Sequence, residues 1–329
     1  MTLALITGGS GHVGANLTRE LIDQGIKVRC IDFDKDHKAF EGLDIELIPG
    51  SVTDKESLDP IFNNVDIVFH TAAIISLERR NKNLIRLVNV EGTRNVCEVA
   101  LKHRVKRLIH FSSVDAFTRY PLDEPLLEDR PLIENKNSVP YDLSKADAQR
   151  IVLDYCEQGL DASIIHPSGV YGPHDYKPSL FGQTFIDIAN GKRQFNINVG
   201  YDYVDVRDLC KTAVACVEKG KSGQNYIVSG HYMDFTYLSE IVSQELGRKL
   251  LKLTLPMFTL YLGLPFYFIQ SRVTGKPQAL TIDSIHTIKV QNKNIPGELA
   301  KEELGHSPRG IDETLKDTVK FFKDVGEIS

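Results

Sequence analysis

Tyr141 and Lys145, in the run Tyr141-Asp142-Leu143-Ser144-Lys145, place a phenol and an amine four residues apart. On a helix that spacing stacks the two side chains on one face. A phenol with a pKa near 10 is a poor acid or base at neutral pH. An ammonium one turn away stabilises the phenolate and brings the phenol toward working range. Upstream, the pair Ser112-Ser113 supplies a hydroxyl able to hold a substrate oxygen. Such a set moves a proton to or from an oxygen. Alone, a Tyr-x-x-x-Lys would be an ordinary helix surface, and a second motif near the N-terminus changes that.

The run Thr7-Gly8-Gly9-Ser10-Gly11-His12-Val13-Gly14 has Gly-x-x-Gly-x-x-Gly spacing. It follows a strand-length apolar stretch and opens a helical pattern (Val13, Leu17, Leu21, Ile22). Glycines permit a tight turn, so backbone groups of Gly8, Gly11, His12 and Val13 can approach a pyrophosphate at a helix N-terminus. His12 reads as a backbone contributor there rather than as an acid or base. Asp32 ends the second strand, 18 residues after Gly14. A carboxylate at that point accepts both ribose hydroxyls and repels a 2′-phosphate, which favours NAD. Asp34, Lys35 and Lys38 follow closely, so NADP stays as an alternative. Cofactor loop and Ser/Tyr/Lys set together predict hydride transfer between an alcohol carbon and a nicotinamide, with the hydroxyl proton passing through Tyr141.

The elements that position these groups alternate strand and helix. Strands read over 3–7, 27–31, 45–48, 65–69, 107–111 and 162–165. Helices read over 12–24 and 83–103, and from Pro140, which opens the Tyr141 helix, to near Gly159. Repeated β-α units of this length imply an α/β fold, a Rossmann-type doubly wound parallel sheet. Residues 1–166 form mainly the dinucleotide-binding domain. Residues 167–329 form mainly a smaller C-terminal substrate lobe, with some segments returning to the first. Residues 119–139, rich in Pro, Asp, Glu and Asn, read as a long surface loop before the Tyr141 helix.

The whole composition narrows the partners. The 329 residues are 42% hydrophobic and 25% charged, with net charge −5. No basic run offers a nucleic-acid surface. Five scattered cysteines without a Cys-x-x-Cys predict neither a disulfide framework nor a zinc site, and fit a reducing cytoplasm. No His or carboxylate cluster has metal-ligand spacing. The apolar start is too short for a signal peptide. Leu253–Gln270 is uncharged over 18 residues but interrupted by Pro256, Gly263 and Pro265. It reads as short helices lining a soluble lobe, with a weak membrane-surface contact or an apolar substrate entrance as alternatives.

With these motifs in place, residues 1–230 resemble the extended short-chain dehydrogenases/reductases. The resemblance is carried by the two motifs above and by Val68-Phe69-His70-Thr71-Ala72-Ala73 and Asn89-Val90-Glu91-Gly92-Thr93-Arg94-Asn95-Val96. It extends to Phe111-Ser112-Ser113 and to His166-Pro167-Ser168-Gly169-Val170-Tyr171-Gly172-Pro173. It implies Ser113 as the catalytic hydroxyl, with Ser112 as fallback, Tyr141 as acid/base and Lys145 as its activator. It also implies Ala72 and Ala73 beside the cofactor, Pro167 near the nicotinamide, and a structural Asn89 tying a helix to a neighbouring strand. Gly50-Ser51-Val52 stands where the family often has Gly-Asp-hydrophobic at the adenine, and Ser51 can still hydrogen-bond. His166 replaces a common Arg. Gly169 replaces the Asn usual in nucleotide-sugar epimerases. These departures favour the subgroup similar to dihydroflavonol reductases and 3-beta-hydroxysteroid dehydrogenases, which act on apolar, ring-like small molecules. An epimerase/dehydratase holding its NAD tightly is the second reading, for which Lys192, Arg193, Arg207 and Arg272 would supply phosphate contacts; Arg207 can equally brace a helix start. A non-catalytic nucleotide sensor is the third, and an intact Ser113, Tyr141 and Lys145 argue against it. A homodimer through the helices at 83–103 and 140–159 would be family-like.

Overall fold

The computed structural model describes residues 2–33, 38–76, 78–193, 195–197, 199–249, 253–274 and 280–329. Asp34 and Lys35 lie outside the described residues. The strands are β1 (Leu3–Thr7), β2 (Lys27–Asp32), β3 (Glu46–Pro49), β4 (Ile67–His70), β5 (Arg107–Phe111), β6 (Ala162–Pro167), β7 (Gly169–Tyr171), β8 (Phe195–Ile197), β9 (Gly200–Asp205), β10 (Asn225–Val228), β11 (His231–Asp234) and β12 (Leu253–Leu255). The helices are α1 (His12–Asp23), α2 (Lys55–Ile61), α3 (Lys82–Ile85), α4 (Gly92–Lys102), α5 (Pro140–Glu157), α6 (Leu180–Ala189), α7 (Val206–Lys219), α8 (Phe235–Leu246), α9 (Thr259–Thr274), α10 (Ile282–Lys289) and α11 (Ile311–Asp324).

A parallel sheet carries the site, in the order β10-β6-β5-β4-β1-β2-β3. Its central strands are buried on both faces, so their sequences are near-continuous apolar runs rather than alternating ones. Leu17 and Leu21 of α1 and Leu209 and Ala213 of α7 cover one face. Leu58, Phe62, Val96, Ala100 and Val152, from the α2, α4 and α5 region, cover the other. The chain runs outward from β1 to β3 and then returns to β4 on the far side of β1. That reversal opens a crevice above the carboxyl ends of β1 and β4, where Thr7 and His70 are register partners. A third core, of Tyr171, Phe185, Tyr203, Phe322 and neighbours, holds the C-terminal lobe together.

Three segments differ from the sequence expectation. The helix expected over 83–103 is α3 and α4 joined by a wider π-helical stretch, Arg86–Glu91, which contains Asn89. Residues 119–139 are no bare surface loop. Leu126 and Ile133 are buried, Arg130 donates to the carbonyls of Pro121 and Pro125 at 2.9 and 2.8 Å, and Glu128 Oε1 accepts from Ile227 N–H on β10 at 3.0 Å. Leu253–Gln270 contains not several short helices but one strand and most of one helix, α9, which runs through Pro265. Phe258, Leu262, Phe266, Ile269 and Val273 are 65, 75, 65, 61 and 80% exposed. They therefore face outward rather than line a core. No helix among the described residues is long and apolar enough to cross a membrane.

Candidate active site

The glycine turn between β1 and α1 closes because two of its residues lack a Cβ. Gly8 has φ +73°, and a Cβ there would lie 2.8 Å from Ala72 Cα; one on Gly14 would lie 2.4 Å from the Gly8 carbonyl oxygen. At Gly11, α1 begins with no side-chain cap and no acidic residue in its first turn. Its N-terminal partial charge is thus left for an anion, and the cradle fits a dinucleotide pyrophosphate. Val13 lies in this first turn, and the His12 side chain turns away, its Nε2 meeting the Pro173 carbonyl at 3.1 Å. Asp32, buried at the end of β2, accepts from Ser10 N–H at 2.6 Å, which fixes its carboxylate at the lip of the turn.

The other residues expected beside a cofactor follow or end strands β3, β4 and β6. Ala72 N–H donates to Thr7 Oγ1 at 3.3 Å, pressing the segment Ala72-Ala73 against the glycine turn. Thr7 Oγ1 meets His70 Nδ1 at 2.8 Å, His70 Nε2 meets Thr93 Oγ1 at 2.9 Å, and Thr93 Oγ1 donates to the Asn89 carbonyl at 2.6 Å. Because Thr93 Oγ1 donates to Asn89, His70 must carry a proton on Nε2, and burial, which lowers its pKa to about 3, keeps the ring neutral with Nδ1 accepting from Thr7. The Ser51 hydroxyl is engaged locally with Thr53 Oγ1 at 2.8 Å. The Val52 side chain packs into the core while its carbonyl accepts from Asn95. Pro167 ends β6 beside Val228 of β10.

Asn89 ties the loop leaving β4 to the Tyr141 helix. Its Oδ1 accepts from Ile74 N–H at 2.7 Å; its Nδ2 donates to the Ile74 carbonyl at 3.0 Å and to Ser144 Oγ at 2.9 Å. Ser144 Oγ in turn donates to the Tyr141 carbonyl at 2.7 Å. Pro140 at the first helical position, where its missing N–H costs nothing, starts this helix directly before Tyr141.

Ser113, Tyr141 and Lys145 meet above the carboxyl end of β5. The two serines of the pair part company. Ser112 Oγ points to Gln149 Oε1 at 3.3 Å, whereas Ser113 Oγ accepts from Asp115 N–H at 3.1 Å and lies near enough to the Tyr141 phenol to lower its pKa. Burial and the carboxylates of Asp115 and Asp142 push the phenol's pKa up; the Ser113 contact pulls it back. In this state the proton stays on Tyr141. The Lys145 ammonium lies 5.9 Å from the Tyr141 ring centroid, donates to the Phe111 carbonyl at 2.7 Å, and is lowered to about 8 by burial. His166 contacts Ser113 from β6. Its Nδ1 is 3.0 Å from the Ser113 carbonyl, its ring 4.5 Å from that of Phe117, and burial lowers it to about 4.

The sequence reading missed a charged cluster beside the phenol. Arg119 Nη2 bridges Asp115 Oδ1 at 2.9 Å and Asp142 Oδ2 at 2.7 Å. Burial and Asp115 raise Asp142 to about 8, against the pull of Arg119. Burial, and to a lesser degree the charge of Asp115, pushes up the phenol of Tyr201 on β9. Only the position of Asp115, two residues past Ser113, was a usable signal. In the lobe, Arg207 is held by Asp205 at 2.7 Å and Asp317 at 2.6 Å and braces the start of α7. Arg193 donates to Thr184, Lys192 lies 3.8 Å from Asp187, and Arg272 sits 5.3 Å over the Phe268 ring. Among the described residues, no group of three metal-ligating side chains converges.

Residues 4–229 match the profile of the NAD dependent epimerase/dehydratase family. The chain is 29% identical over 327 residues to Sterol demethylase protein B of Methylococcus capsulatus, covering 98% of this chain and 99% of that protein. It is 28% identical to a putative dihydroflavonol 4-reductase of Synechocystis, covering 98% and 95%. The crystal structure of gox2253 superimposes with a TM-score of 0.86 at 30% identity, over the whole of both chains.

Proposed function

The chain belongs to the NAD dependent epimerase/dehydratase family, and we propose that within it the protein is a dehydrogenase/reductase that interconverts a secondary alcohol and a ketone on an apolar, ring-like molecule of the sterol or steroid class. The observation that carries this is the meeting of Ser113, Tyr141 and Lys145 above the sheet's carboxyl edge. NAD held on the glycine turn would serve as the hydride acceptor in oxidation, and NADH as the donor in reduction. Ser113 and Tyr141 hold the substrate oxygen by two hydroxyls, which fixes the carbon that reacts. Tyr141, which keeps its proton at rest, gives it to the nascent alkoxide in reduction. In oxidation Lys145 stabilises the phenolate that takes the proton. Asp32 would accept the adenosine ribose hydroxyls and Pro167 would pack near the nicotinamide.

Two features support the apolar substrate. Phe181 and Tyr201, only partly buried, lay aromatic rings on the lobe core at Tyr203, 4.6 and 5.9 Å between ring centres. Arg207, a candidate phosphate contact, is already paired with two carboxylates. The full-length similarity to a sterol demethylase protein and a dihydroflavonol reductase points the same way. The outward apolar side chains of α9 would let the protein meet a membrane surface where such molecules dissolve. Exposed Leu84 and Leu87, with α4 and α5, would form a homodimer face. A cytoplasmic enzyme with five unpaired cysteines fits this reading.

One observation favours the family's other chemistry. Asp115 adds a carboxylate beside Ser113, and eliminating water from a sugar needs an acid/base beyond the tyrosine. The test is to denature gel-filtered protein, assay released nucleotide, and then screen sterol and flavonoid alcohols for NAD reduction. Empty protein that binds NAD reversibly and oxidises a ring alcohol supports the dehydrogenase. Tightly held, non-exchanging NAD would replace it with the epimerase-like cycle.

A further inference from the structure

We propose that Lys177, delivered from the C-terminal lobe, is a cofactor-binding residue whose ammonium clamps the dinucleotide pyrophosphate on the glycine turn. This rests on the NAD reading above. Lys177 Nζ hydrogen-bonds Ser10 Oγ across 167 residues of sequence. Ser10 is part of the turn whose first helical N–H groups face the phosphates, and its own N–H holds Asp32.

The lysine arrives on a rigid support. The Pro173 carbonyl accepts from Asn16 Nδ2 at 3.0 Å and meets His12 Nε2 at 3.1 Å. Arg19 donates to the Tyr176 hydroxyl at 3.2 Å and lies 5.5 Å over its ring. The Tyr176 ring packs on Phe321 at 5.1 Å, and buried Asp175 accepts from Ser179 N–H at 2.8 Å. Residues 173–179 are therefore fastened to α1, the helix whose N-terminus receives the phosphates. Lys177 is half-buried at the seam, so little side-chain entropy remains to be lost when it binds an anion.

Charge decides which anion. A helix N-terminus supplies about half a positive charge, and a pyrophosphate carries two negative ones. A cation at Ser10 supplies most of the difference. A 2′-phosphate would lie against the Asp32 carboxylate, which repels it, so the pyrophosphate is the group within reach that the site favours. Binding through Lys177 also joins the substrate lobe to the nucleotide domain by way of the cofactor.

The test is titration of the full-length protein with NADH by fluorescence, with NADPH, ADP-ribose and adenosine as competitors. Lys177→Met should weaken NADH and ADP-ribose by about tenfold or more, the loss of one charge-assisted contact. Adenosine binding should be unchanged, and the salt dependence of NADH binding should flatten. Lys177→Arg should retain most of the affinity, and Lys177→Gln should repeat the loss. NADH affinity within twofold of wild type in both neutral variants overturns the proposal, as does a loss confined to NADPH, which would place the contact on a 2′-phosphate. Wild-type protein that binds no NADH at all would overturn the cofactor reading itself.

Discussion

Replacing Lys145 by Met separates what the lysine does for chemistry from what it costs the fold. Lys145 is 6% exposed, and burial lowers its pKa from 10.5 to about 8. At 1.36 kcal/mol per tenfold change in proton affinity, that fall corresponds to about 3 kcal/mol of instability borne by the folded protein while the amine is charged. The sign follows from proton counts. Between pH 8 and 10.5 the unfolded chain holds the Lys145 proton more tightly than the folded one, so stability from this group rises with pH across that window. Below pH 8 both states are charged and the full penalty applies; above 10.5 both are neutral and it vanishes. Met removes the charge but leaves the Phe111 carbonyl without its 2.7 Å donor, a loss of about 1–3 kcal/mol. At pH 7 the variant should thus be as stable as wild type or up to about 2 kcal/mol more stable, though inactive. Urea denaturation of both proteins from pH 7 to 10.5 measures this, and groups common to both cancel in the difference. Wild type should gain about 3 kcal/mol on the variant over that range. A difference that stays flat within 1 kcal/mol would refute the buried, destabilised ammonium.

Other perturbations probe the remaining parts of the site. Tyr141→Phe should lower kcat by about 10²–10⁴ while NADH affinity, read by fluorescence titration, stays within about twofold. Ser113→Ala should lower kcat/KM by about tenfold or more, the worth of one hydrogen bond to a developing charge, whereas Ser112→Ala, whose hydroxyl faces Gln149, should leave steady-state rates nearly unchanged. Asn89→Ala strips partners from both backbone groups of Ile74 and from Ser144; denaturant unfolding should show a loss of about 3 kcal/mol. Asp32→Ala should weaken NADH more than NADPH, and an equal loss would argue against a ribose contact.

What could be read in the sequence is what the backbone dictates locally. The glycine turn was legible because a tight β-to-α turn admits no Cβ at Gly8 and Gly14, and the central strands because burial on both faces demands unbroken apolar runs. Tyr141 and Lys145 were legible because helical geometry fixes what four residues of spacing means. The rest is made by tertiary contact. Asp115, Arg119 and Asp142 are ordinary charged residues in a 3₁₀ turn, a loop and a first helical turn, and only folding brings them together beside the phenol. The single-helix path of α9 contradicts the usual reading of Pro265 as a breaker. Tyr261, whose carbonyl Pro265 leaves without a donor, is 48% exposed, so water can reach that turn of the helix. Lys177 is the extreme case. Nothing in Tyr176-Lys177-Pro178 marks a ligand contact, and Ser10 is 167 residues away. Its placement depends on the Pro173 carbonyl docking on Asn16 and His12, a contact written in α1 rather than in the loop. The residues that recognise the cofactor from the far side are for that reason the ones a linear reading loses, and they are also where the substrate lobe can feel whether cofactor is bound.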